Sequence, residues 1–242
     1  MPDDVERVLA VAEHVHQVEN VKLGWREPLS DGTLGCGHGK TDIYLSEIGC
    51  ELFGYAAPYR NQAVNGRQPR HLHGYLVLDN DYSPFEFPHT EPGRDLKVTL
   101  AHEYNHILQF GYEAYEDPWF AESTAVWMED QVYNGIDDYL RYVRKWVHLW
   151  ETPLTANTIK EYGTAVWNQW LARHYGRAMI REAWAGAATA QPPGFAVAAY
   201  EKAIHADGPS SFGRDLTRFA VDVAEWRTGI GFRESYLYPD MP

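Results

Sequence analysis

A chain of 242 residues, 45% of them hydrophobic, is long enough to bury about 70% of its unfolded surface, so it needs no crosslinks to fold. Its formal net charge of −13 argues against nucleic acid or an anionic membrane as the main partner and favours the approach of a basic peptide. No apolar run is long enough to span a bilayer.

The first residues, Met1-Pro2-Asp3-Asp4, lack the basic and apolar regions of a signal peptide. Two expectations follow: a secreted protein whose leader was removed ahead of this sequence, or a cytoplasmic one. Cys36 and Cys50, the only cysteines, lean towards export, since bridging them would add roughly 3 kcal/mol of stability. Two buried free thiols are the competing expectation, and neither cysteine has the C-x-x-C spacing of a metal ligand.

From Asp3 to about Asn20, Val5, Val8, Leu9, Ala12, Val15 and Val18 recur at helical spacing, which predicts a packing helix. His14 and His16, two apart, face different ways and read as surface or capping residues. Glu27 to Lys40 is a loop rich in turn formers, leading into the short apolar run Ile43-Tyr44-Leu45. Gly35, Gly37 and Gly39 lack the G-x-G-x-x-G spacing and precede a strand, so a dinucleotide site is excluded on context.

His73-Gly74-Tyr75-Leu76-Val77-Leu78 is the strongest strand signal, ended by Asp79-Asn80-Asp81. Such an acidic run admits Ca2+, although the remaining ligands of a full calcium loop are not evident and acidic turns commonly follow strands. His71, His73 and His89 are further metal candidates with no helical partner to set their geometry.

Asp95 to Phe110 is predicted as a helix covered nearly all round. Leu96, Leu100, Tyr104, Ile107 and Leu108 mark one face; Val98, His102, His106 and Gln109 mark another. Within it lies His102-Glu103-Tyr104-Asn105-His106, the pattern H-E-x-x-H. Positions four apart lie on nearly one line of a helix, so His102 and His106 present two imidazoles to one point, with Glu103 displaced around the axis. Two neutral imidazoles suit Zn2+, and the adjacent carboxylate is placed to take a proton from metal-acidified water. A surface helix with two unpaired histidines is the plain alternative.

Everything beyond Gly111 reads as mostly helical. Asp117-Pro118 opens a helix that Trp119 to Tyr133 carries on; others are predicted over Asp137 to Trp150 and Asn157 to Tyr175, with shorter ones to Trp226. Arg227 to Pro242 has too little pattern to assign.

A catalytic zinc usually keeps three protein ligands and one open position. The extended pattern H-E-x-x-H-x-x-G-x-x-H fails, because Gln109 and Tyr112 stand where glycine and histidine should be. A glutamate from a following helix is the other solution. Glu122, sixteen positions beyond His106 and one turn into the helix at Pro118, is the leading candidate, with Glu113, Glu116 and Asp117 next.

At these residues the chain resembles the gluzincin type of zinc metallopeptidase. Thr99 to His106, Gln109 to Tyr112 and Trp119 to Ala125 are similar to the core of a poorly characterised, mostly secreted bacterial and archaeal group classed as peptidases. Leu23 to Pro28, Thr41 to Leu45 and Tyr75 to Asp81 share the likeness, which spans Leu23 to about Gly176. The resemblance implies His102, His106 and Glu122 as ligands and Glu103 as the general base that later protonates the leaving amine. It also suggests Tyr162 as oxyanion donor, with His148 and His174 as weaker candidates and a core aromatic as the plain reading of Tyr162. Better-known gluzincins often place an aspartate four residues after the glutamate ligand to orient a histidine; here that position is Val126. Glu129, seven beyond Glu122, or Asp130 could substitute, unless both belong to an acidic surface face.

The expected fold is therefore α+β and zincin-like, one catalytic domain over residues 1–242. A small mixed sheet and the H-E-x-x-H helix fill an upper subdomain, residues 1–111, and a mainly helical lower subdomain covers 112–242. The expected activity is peptide-bond hydrolysis on a peptide or protein substrate, with Tyr75 to Leu78 at or beside the sheet edge that pairs with the substrate main chain. Two rivals remain: a decayed zincin-like module binding peptide or carbohydrate through its 9 Trp and 16 Tyr, and a zinc hydrolase acting on another amide or ester.

Overall fold

The computed structural model describes residues 2–35, 37–49, 52–59, 69–88, 91–189, 196–225, 232 and 234–239. Cys36, Cys50 and His89 lie outside the described residues, and the disulfide expectation with them. The protein is α+β, with a small three-stranded sheet and predominantly helical structure elsewhere. The chain divides into two compact units, one of residues 1–114 and 128–136, the other of 115–127 and 137–242.

In the first unit, helix α1 (Pro2–His16) buries Val8, Val11 and Val15 and runs into a π-helical segment, Gln17–Lys22. The sequence predicts one regular helix to about Asn20; the wider π turn instead brings three consecutive residues, Val18, Glu19 and Asn20, into the interior. Asn20 then donates its side-chain amide to the carbonyls of Trp25 and Arg26, at 3.3 and 2.8 Å, which fixes the turn that follows.

Strands β1 (Ile43–Ser46), β2 (Gly54–Pro58) and β3 (Gly74–Asp79) form a mixed sheet in the order β1-β3-β2. β1 lies parallel to β3 with Ser46 opposite Asp79, and β2 antiparallel with Gly54 opposite Leu78. The strongest strand signal is thus the middle strand, buried along nearly its whole length. β2 goes unpredicted because Gly54-Tyr55-Ala56-Ala57-Pro58 has neither alternation nor β-branched residues; pairing with β3 holds it.

Helix α2 (Pro92–Tyr112) packs across β2 and β3 and is buried on most of its circumference. It opens one turn earlier than its apolar pattern, at Pro92, where a missing N–H costs nothing. The sheet approaches so closely that a Cβ on Gly74 would stand 2.7 Å from the Ala57 carbonyl oxygen and 3.1 Å from Ile107 and Phe110 of α2. Helix α3 (Pro118–Val132) is uninterrupted, although the division between units falls within it.

The second unit contains α4 (Leu140–His148), α5 (Lys160–Gly163), α6 (Ala165–Tyr175), α7 (Ala178–Ala187), α8 (Ala196–Asp207) and α9 (Phe212–Glu225). The helix predicted over Asn157 to Tyr175 is divided at Thr164, whose hydroxyl donates to the Lys160 carbonyl at 3.0 Å. Aromatic residues fill the interior of this unit: Trp119, Trp127, Trp167, Trp170 and Trp184 are all fully buried, and Phe120 stacks on Trp184 with centroids 4.3 Å apart. Trp150, 57% exposed, is an exception. Among the described residues no helix is long and apolar enough to cross a membrane.

Gly163 sets how closely α5 meets α4, since a Cβ there would lie 2.5 Å from Trp146 Cβ and 2.8 Å from the Tyr142 carbonyl oxygen. Gly163→Ala is expected to cost about 1–3 kcal/mol and to lower the thermal midpoint by several degrees. Gly208→Ala, with open space around the new methyl, is the control; equal midpoints for the two variants would show that the contact yields without strain.

Candidate metal centre

His102 and His106 stand one turn apart on α2, with ring centroids 4.8 Å apart. Each ring is held by its Nδ1. His102 Nδ1 lies 2.7 Å from Oε1 of Glu129, a carboxylate only 4% exposed. His106 Nδ1 lies 2.8 Å from Gln109 Oε1. A carboxylate oxygen and an amide oxygen accept, so both imidazoles donate from Nδ1, the arrangement that commonly orients a histidine which binds metal through Nε2.

Behind His106 the hydrogen bonds continue. Gln109 Nε2 donates to Asn105 Oδ1 at 2.8 Å, and Asn105 Nδ2 donates to Glu19 Oε2 at 3.0 Å. Glu19 is wholly buried, and burial holds its carboxyl well above the usual carboxylate range; the Asn105 hydrogen bond acts in the opposite direction. The inward-turned π segment is therefore the end of a polar string that orients a histidine.

Glu122 lies seven residues before Glu129 on α3, close to two full turns, so both occupy one face of the same helix. One ligand atom each from His102, His106 and Glu122 lie within 4.8 Å of one another. His102 is buried, while His106 and Glu122 are half-buried. Two imidazoles and one carboxylate are a donor set that fits a Zn2+ ion. Glu103, half-buried, follows His102 directly.

Val126, at the position where an aspartate is more familiar, is completely buried in apolar surroundings, and the orienting carboxylate comes one turn later from Glu129. Asp130 is also buried but accepts from Gln131 at 3.1 Å. The reserve ligands are engaged elsewhere. Glu113 pairs with Arg70, Glu116 accepts from the Asp117 amide, and Asp117 accepts from the Ala196 amide. His71 is exposed, His73 packs beside Tyr59, His148 is exposed, and His174 stacks on Trp170. Tyr162 stacks on Tyr142 with centroids 5.0 Å apart.

Sequence reasoning missed Glu161, whose carboxyl is pushed up to about 7 by burial first and by the charge of Glu122 second. An acidic residue in a first helical turn ordinarily complements the helix dipole, so nothing in the sequence singles it out. It missed Asn105 and Glu19 as well. Gln109 was visible on the face shared with His102 and His106 and as a departure from a glycine, but not as a partner of His106, although three residues apart on one helix is hydrogen-bonding distance.

A family of unknown function, DUF6055, matches residues 89–228, more than half of the chain. The chain belongs to DUF6055. No curated protein matches it. The DUF6055 segment contains His102, Glu103, His106, Gln109, Glu122, Glu129 and Glu161, whereas Glu19 and all three strands precede it.

Removing the carboxylate behind His102 with Glu129→Ala is expected to lower zinc affinity by about 10–100-fold. Gln109→Ala should act in the same direction through His106. Competition against a chromophoric chelator measures both; an affinity equal to the parent's for Glu129→Ala would show that His102 is not a ligand held through its Nδ1.

Proposed function

We propose that this DUF6055 protein is a zinc-dependent peptidase of gluzincin type, built on a zincin-like scaffold. The observation that carries the reading is the grouping of His102, His106 and Glu122 as side chains that could hold a metal ion, with both histidines held through Nδ1, the arrangement in which a histidine ligates through Nε2. Zinc, when bound by these three, would polarise the scissile carbonyl and acidify a water molecule.

The chain's own residues then divide the work. Glu103, about 100° around α2 from His102, takes the proton of the attacking water and delivers it to the departing amine nitrogen. Glu129 and Gln109 keep the ligating rings from rotating or changing tautomer. Tyr162, its ring braced on Tyr142, is the proposed donor to the developing oxyanion. Because β3 is the middle strand, the substrate main chain would pair with β1 or β2. Secretion is proposed on the resemblance alone.

Glu103→Gln preserves size and should leave bound zinc at the parent's level while lowering peptide turnover by about 10²–10⁴-fold. Glu122→Ala should instead lose zinc. The readouts are metal content after dialysis and cleavage of a diverse peptide library. Turnover by Glu103→Gln at the parent's rate would remove Glu103 as the base, and a zinc-loaded parent that cleaves esters or other amides but no peptide would overturn the peptidase reading.

A further inference from the structure

A second cluster of possible ligands shares no residue with the first. Glu47 follows β1, Asp79 ends β3, and Glu86 lies in the loop leading towards α2. Since β1 and β3 are parallel with Ser46 opposite Asp79, Glu47 and Asp79 leave the sheet at the same end. One carboxylate oxygen from each of Glu47, Asp79 and Glu86 lie within 4.8 Å of one another. Three acidic groups at that separation repel unless a proton or a cation lies among them.

Acidic groups often gather without an ion, and the feature that distinguishes this cluster is Asp79. It is 1% exposed. Its Oδ1 accepts from the amides of Asp81 and Tyr82, at 3.2 and 2.7 Å, closing the turn after β3. Its Oδ2 is buried and has no hydrogen-bond partner among the described residues. A buried carboxylate oxygen normally has a partner, and this one belongs to a group of carboxylates that can offer it no proton while ionised. The Glu86 carboxyl points the same way: its hydrogen bond to Glu47 raises it to about 7, with burial and the charges of Glu47, Asp79 and Asp81 adding to the rise.

We propose that Glu47, Asp79 and Glu86 bind a hard divalent cation, calcium by chemical class, which ties the ends of β1 and β3 to the loop before α2. The donors are all carboxylate oxygens, with neither nitrogen nor sulfur, which selects calcium over zinc. They come from three separate segments and differ in exposure, an irregular set that calcium tolerates better than magnesium does. The acidic run Asp79-Asn80-Asp81 contributes its first residue, while Asp81 accepts from the Ser83 amide at 2.8 Å. The loop also carries Tyr82, a non-glycine residue with φ of +51°, whose buried phenol is raised above the ordinary tyrosine range by burial and by the charges of Asp79 and Glu103. An ion at this place would therefore hold the loop that follows β3 and contains Tyr82 and Glu86.

The test uses the full chain, stripped with a chelator, dialysed and titrated with calcium chloride at neutral pH, followed by calorimetry and thermal denaturation. The expected result is one saturable site and a thermal midpoint several degrees higher with calcium. Glu47→Gln and Glu86→Gln should each weaken calcium binding at least tenfold and leave the calcium-free midpoint unchanged or higher, because each relieves repulsion. Glu13→Gln, on the exposed face of α1, should behave as the parent. Zinc content, measured before the chelator is added, should be the same in all of these proteins, so failure of this site is distinguishable from failure of the other. The proposal is overturned if the parent shows neither binding heat nor a calcium-dependent midpoint, or if both glutamine variants keep the parent's response. It is equally overturned if those variants are destabilised without calcium, for the carboxyls would then form a proton-sharing contact of their own.

Discussion

The contact between His102 Nδ1 and Glu129, 2.7 Å long and shielded from water, is the constraint on which the proposed centre depends. A carboxylate taken out of water is costly unless a donor meets it, and here the donor is the ring that must itself be oriented. The same contact does a second thing. It ties Glu129 of α3 to α2, and Glu122 lies two turns earlier on the same face of α3.

The two histidines are supported by different means. His102 has a charged partner on another helix, whereas His106 relies on neutral amides within its own helix, Gln109 and Asn105, ending at the carboxyl of Glu19. The π segment after α1 turns this glutamate inward, where its Oε2 accepts from Asn105. The π segment lies outside the stretch matched by DUF6055, so the family's segment contains the proposed ligands and the earlier part of the chain supplies this support.

Much of this was legible in the residues, for reasons that differ from place to place. The spacing of His102 and His106 on a strongly patterned helix converts directly into geometry, and α2 extends beyond its predicted span by only one turn at the start and two residues at the end. Glu129 could be named because seven residues is nearly two helical turns, although its burial could not, since an acidic residue on a helix is usually solvated. β2 escaped because its residues carry no strand signal and its pairing partner is remote in sequence. The break at Thr164 escaped because it arises where α5 meets Trp146 of α4, a tertiary contact that local propensity does not register. Asp79 was visible as part of an acidic run, but the residues that join it, Glu47 and Glu86, are brought there by strand pairing and a loop.

The most direct test is anomalous scattering at the zinc edge from a crystal of the full chain soaked with zinc. The account predicts one strong peak, about 2.0–2.2 Å from Nε2 of His102, Nε2 of His106 and a carboxylate oxygen of Glu122. A peak held by other residues, or no ordered zinc between these three, would contradict it.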